Sequence, residues 1–120
     1  MLTVDSENNI TLTRGDTAIL TLTVKKNGND YDFSDDLTQF TVKRNTVTSE
    51  IVFQKTFTGT SIQIDPSDTK DLYYTDLKYD VQLITPDNEV YTVITPHDFI
   101  VAEEVNFNVT RTWRNINKYS

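Results

Sequence analysis

Ile10-Thr11-Leu12-Thr13-Arg14-Gly15-Asp16-Thr17-Ala18-Ile19-Leu20-Thr21-Leu22-Thr23-Val24 decides the fold class. Apolar and polar residues alternate in Ile10 to Thr13 and again in Leu20 to Val24, the period of a strand with one face buried. Arg14-Gly15-Asp16 separates the two runs, and Gly15 gives the backbone freedom for a tight turn. The expectation is two strands joined by that turn. Next comes Lys25-Lys26-Asn27-Gly28-Asn29-Asp30, whose Asn-Gly pair accepts positive φ and predicts a chain reversal.

The same period runs on through the chain. Phe40-Thr41-Val42-Lys43, Ile51 to Lys55, Ile62 to Ile64, Tyr79 to Leu83, Val90 to Ile94 and Phe99 to Val101 all read as short strands. Single helical turns are predicted at Phe33 to Leu37, capped by Ser34, and at Ser67 to Leu72, after Asp65-Pro66 stops a strand. Thr85-Pro86-Asp87-Asn88 predicts a hairpin turn between the strands at Tyr79 and Val90. Thr95-Pro96-His97-Asp98 reads as a loop, and Glu103-Glu104 as a bend or exposed edge. Composition agrees: 20 Thr and 11 Val stand against two Ala, which favours pleated over helical backbone. The predicted core is Leu20, Leu22, Val24, Phe40, Val42, Ile51, Phe53, Ile62, Ile64, Tyr79, Val81, Leu83, Phe99 and Val101. Each contributes about 1.5–3 kcal/mol when fully buried.

The length of 120 residues suits one domain, and the absence of cysteine leaves stability to packing and strand pairing. There is no apolar run long enough to span a bilayer. The N-terminus lacks the basic and apolar regions of a secretion signal, so a soluble chain that starts at Met1 is expected. Residues 1–107 carry 18 acidic and 8 basic side chains, a net −10, whereas residues 108–120 carry three basic ones and no acid, a net +3. The acidic body opposes approach to phosphates, so nucleic acid is not an expected partner.

About eight strands so spaced predict an all-β, immunoglobulin-like antiparallel β-sandwich of about 7–9 strands over residues 1–105, with a C-terminal extension over 106–120. Tyr79, ahead of Val81, resembles the tyrosine before the sixth strand of such domains, whose hydroxyl ties back to the preceding loop; a plain core aromatic is the other reading. Together with Ile10 to Thr17, Tyr31-Asp32-Phe33-Ser34, Phe40 to Lys43, Ser67-Asp68-Thr69, Tyr79 to Leu83 and Val90-Tyr91-Thr92, this pattern resembles the small immunoglobulin-like virion proteins of phages of Gram-positive hosts. The resemblance covers roughly residues 9–105, with Asn88-Glu89 where that family has a glycine. It implies a non-enzymatic structural role as a head fibre or decoration, or as the N-terminal part of an upper baseplate protein. The implied location is the virion, assembled in the host bacterial cytoplasm. The implied partners are other virion proteins and copies of the same chain.

Chemistry is expected to be absent. The single histidine, His97, has no companion nucleophile in its loop, and carboxylate pairs such as Asp35-Asp36 or Asp68 with Asp71 read as caps and solubilising charges. Asn27, Asn29, Asp30, Asp32, Asp35 and Asp36 crowd oxygen ligands, but in an order foreign to an EF-hand, and no metal, cofactor or small-molecule substrate is expected. Arg14-Gly15-Asp16 matches an adhesion tripeptide and equally what a β-turn wants, and the acceptor triplets at Asn9 and Asn108 lack a secretory route.

The expected docking segment is the C-terminal arm, where Phe107, Trp113 and Tyr119 interleave with Arg111, Arg114 and Lys118. Aromatics and arginines anchor protein interfaces. The alternative function is a ligand- or host-surface-binding module acting through the loops Asn27 to Asp36 and Thr85 to Glu89. An adhesin should expose aromatics on those loops, and a structural module should hold them at its edges or arm.

Overall fold

A computed structural model describes residues 2–72 and 76–103 and is all-β with one helical turn. The strands are β1 (Leu2–Val4), β2 (Ile10–Thr13), β3 (Ala18–Thr21), β4 (Lys25–Lys26), β5 (Asn29–Asp30), β6 (Leu37–Lys43), β7 (Ile51–Phe57), β8 (Ser61–Ile64), β9 (Asp76–Ile84) and β10 (Val90–Ala102), with α1 at Pro66–Thr69. Six form one sheet in the order β1-β2-β10-β9-β6-β7, while β3–β8 and β4–β5 are separate pairs.

Alternation decides which face of the large sheet is buried. Ile10 and Leu12 of β2, Thr38, Phe40 and Val42 of β6, Leu77, Tyr79, Val81 and Leu83 of β9, and Phe99 and Val101 of β10 all lie on one side and are buried. Ala18, Ile62 and Ile64 of the β3–β8 pair join the same cluster, as do Leu22 and Phe33. Phe40 stacks on Tyr79 with ring centroids 5.2 Å apart, and Phe99 meets Phe40 and Phe53 edge-on at 6.0 and 5.8 Å. Such pairs add about 0.5–1.5 kcal/mol each beyond the area they bury.

Several expectations change. The sheet is mixed rather than wholly antiparallel, because β2 runs parallel to β10. The Gly15 turn, with φ of 83°, joins β2 to β3 as expected, and it carries the chain from the large sheet to a strand that pairs with β8. Val90 to Ala102 is one strand where two strands and a loop were expected; register shifts at Thr92/Ile94 and Ile94/His97 absorb Pro96, which has no N–H to give a ladder. His97 is therefore a strand residue, its Nδ1 against the Thr95 carbonyl.

Phe33 to Leu37 forms no helix: the Asp32 carboxylate accepts the Ser34 N–H at 3.0 Å and the Asp36 N–H reaches the Phe33 carbonyl at 3.0 Å. Ile51 is exposed, while Leu20, Val24 and Phe53 only border the core. The turns with a clear chemical signal stand as read. Asn27 and Gly28 take positive φ between β4 and β5, and Asn88 does so in the hairpin from β9 to β10. The helical turn after β8 also stands, with Asp65 as N-cap and Asp68 closing the capping box.

Tyr79 is buried, and its hydroxyl donates to the Asn8 carbonyl at 2.5 Å, in the turn between β1 and β2. The loop after β8 is not its partner, because Tyr79 pairs with His97 of β10, and β10 in turn lies beside β2, where Phe99 pairs with Ile10. The turn before β2 thus lies within reach of its ring. Burial, with Asp5 nearby, pushes the Tyr79 hydroxyl up to about 12.

Candidate assembly surfaces

The two ends of the large sheet are built differently. At the end where β10 finishes, Arg14 is nearly buried, with 13% of its side chain exposed. Its Nη1 donates to the Leu72 carbonyl at 3.0 Å and its Nη2 meets the Glu103 carboxylate at 3.0 Å. The Gly15 N–H donates to the fully buried Thr69 hydroxyl at 2.9 Å, and the Arg14 N–H to the Ala102 carbonyl at 2.8 Å. Three segments, residues 14–15, 69–72 and 102–103, are laced together there. The Arg14-Gly15-Asp16 triplet is thus committed to the fold, with its guanidinium turned inward.

At the other end, where β10 begins, the sheet is apolar on both faces. Leu37, Ile84 and Val90 lie in register across β6, β9 and β10 on the outer face. Val90 is 54% exposed, and Leu37 is exposed as well. On the inner face, Leu83 pairs with Tyr91, and with Val24, Tyr31 and Val93 they line a groove of about 400 Å3. Tyr91 is 53% exposed. Lys25 and Lys26 of the β4–β5 hairpin border the groove, with the Lys26 ammonium 5.8 Å from the Tyr31 ring centroid. From Val90 to Asp98, β10 pairs on one side only, with β9, among the described residues.

Of the loop aromatics one is buried and one half-buried. Phe33 is buried, and the Tyr31 hydroxyl donates to the buried Asp36 carboxylate at 3.1 Å, which holds Tyr31 above its ordinary titration value. Asp30 pairs with Lys25 at 2.6 Å. The oxygen-rich loop is thus occupied with its own turns, and among the described residues no three His, Cys, Asp or Glu come together in a geometry able to hold a metal. Asp68 is likewise taken, capping α1 and meeting Lys55 at 2.8 Å, and the Asp68 hydrogen bond raises the Lys55 titration point above its usual value.

Phe107, Arg111, Trp113, Arg114, Lys118 and Tyr119, expected as the docking segment, lie outside the described residues. The apolar end was missed in the sequence although a signal was present. Val90-Tyr91-Thr92-Val93-Ile94 is apolar at four of five positions, too many for a strand with one wet face. The chain matches no protein-family model, no curated protein and no solved structure.

Proposed function

We infer that the chain is an immunoglobulin-like sandwich that works as a non-enzymatic assembly module of a phage virion. The strand arrangement supports the fold half of this reading. An early strand, β2, parallel to the last, a large sheet through β10, β9, β6 and β7, and a separate β3–β8 pair that shares its core are in keeping with the layering of such sandwiches. The virion half rests on the resemblance of residues 9–105.

One observation carries the assembly role: the end of the sheet at Val90 and Tyr91 is apolar on both faces and beside a one-sided stretch of β10. Exposed apolar surface next to unpaired backbone is what a protein partner covers. The burial of Phe33 favours this over a ligand-binding module acting through its loops. The test is mass spectrometry of purified particles from cells expressing either the wild-type chain or a Val90→Asp, Tyr91→Asp double variant. Wild-type chain in the particle and loss of the variant, at unchanged melting temperature, is the expected result. A wild-type chain absent from particles overturns the virion reading.

A further inference from the structure

We propose that the gap between the two sheets is an acceptor for a strand donated by a neighbouring copy, and that the donated strand is residues 105–109. This rests on the assembly reading above and names the partner as the chain itself.

Three features meet at the gap. The first is an edge. β3 pairs with β8 on one side and with no other strand among the described residues, so the other side of Ala18–Thr21 presents unpaired N–H and C=O groups. The second is an apolar slot of about 240 Å3 beneath that edge, walled by Leu2, Val4 and Ile10 of the large sheet and by Ile19, Leu20 and Leu22 opposite. Because Lys55 of β7 reaches Asp65 just past β8, β8 lies toward the β7 side and the free edge of β3 toward β1. Slot and free edge therefore open in the same direction. Val4 and Ile19 at its lips are exposed.

The third feature is the occupant. Val105-Asn106-Phe107-Asn108-Val109 alternates with the period of a strand that has one apolar face, the form a groove beside a sheet edge takes up by strand addition. Laid parallel to β3, it places Val105, Phe107 and Val109 beside the inward Ala18, Leu20 and Leu22, with Asn106 and Asn108 facing out beside Ile19 and Thr21. Charge sets this direction. Arg111, Arg114 and Lys118 then leave the slot toward its Asn8 end, beside Asp5 and Glu7.

The donor is a second copy because the same chain is barred by topology. β10 lies inside β2 in the large sheet, and the Gly15 connection from β2 to β3 crosses the end at which β10 finishes. An arm passing from Ala102 to the free side of β3 would have to cross that connection, which chains avoid. Donation from copy to copy is head-to-tail, and its repetition yields a ring or a filament.

The chain has no cysteine, which makes the test clean. Full-length Thr21→Cys and Asn108→Cys chains, purified separately, are mixed under mild oxidation, and folding is checked by thermal melting. The expected product is the mixed disulfide dimer, at least about tenfold above either like-with-like dimer, because docking raises the effective concentration of the matched pair. Adding Phe107→Asp to the Asn108→Cys chain should cut that yield about tenfold without moving the melting temperature. Mixed dimers no more abundant than like-with-like ones overturn the proposal. So does closure of the disulfide within one chain of the double variant. A chain found in particles yet giving either result keeps its virion role and loses strand donation.

Discussion

The two ends of the large sheet are made from the same alternating strands, yet one is laced shut and the other is left apolar. At the Arg14 end, a guanidinium, a threonine hydroxyl and backbone groups from three segments find partners at 2.8–3.0 Å. At the Tyr91 end even a buried group goes without: the Thr38 hydroxyl, on β6 beside Leu83, has no hydrogen-bond partner. Specific polar contacts fix where the sheets meet. Unspent apolar surface collects where another protein is proposed to sit.

That contrast can be broken by substitution. Arg14→Ala removes the charged contacts to Leu72 and Glu103 and should cost about 2–3 kcal/mol, read from the urea midpoint. Tyr79 lies between the two ends and supplies a pH signature. Its folded-state titration point of about 12 lies above the ordinary 10, so its contribution is complete below pH 10 and is lost as pH rises from 10 through 12. The loss should be about 1–2 kcal/mol once solvent screening is allowed for, and Tyr79→Phe should flatten that part of the stability profile. A profile unchanged by Tyr79→Phe would show that its hydroxyl does not set the slope.

Thr38→Val should stabilise by about 1 kcal/mol, since it removes a buried hydroxyl that forms no hydrogen bond. The same exchange at Thr69 should destabilise by a similar amount, because the Gly15 N–H loses its acceptor. Opposite signs for one chemical change, measured by calorimetry, would sharpen the comparison; equal signs would erase it. Smallest of all, Tyr91→Lys should move stability by no more than about 0.5 kcal/mol, since the ring is half exposed.

The strands were legible wherever one face is wet. Ile10 to Thr13, Phe40 to Lys43 and Tyr79 to Leu83 alternate because water lies on one side of them, and Asn27-Gly28 and Asn88 fix turns by backbone chemistry alone. Alternation names a face but not a neighbour. Nothing local in Ile10 to Thr13 says that its partner is Phe99 to Ala102, in parallel. Nor does Pro96 announce that irregular pairing will carry one strand past it. Tyr79 was seen as a tethering hydroxyl, but its acceptor was assigned to the nearer loop in sequence, whereas the sheet brings Asn8 to it. The apolar end was hidden by its own hydrophobicity, which reads as core until the sheet shows that nothing covers it.

The parallel pair β2–β10 also bears on how the molecule comes into being. It joins residue 10 to residue 99, so the second strand of the chain waits for the last one to be synthesised. Contacts so distant in sequence carry a large loop-closure entropy and slow the final step. On a ribosome the β6–β7 hairpin can form early, while Ile10 and Leu12 remain uncovered until Ala102 has left the exit tunnel. Until that moment a nascent chain exposes its own core strand to its neighbours.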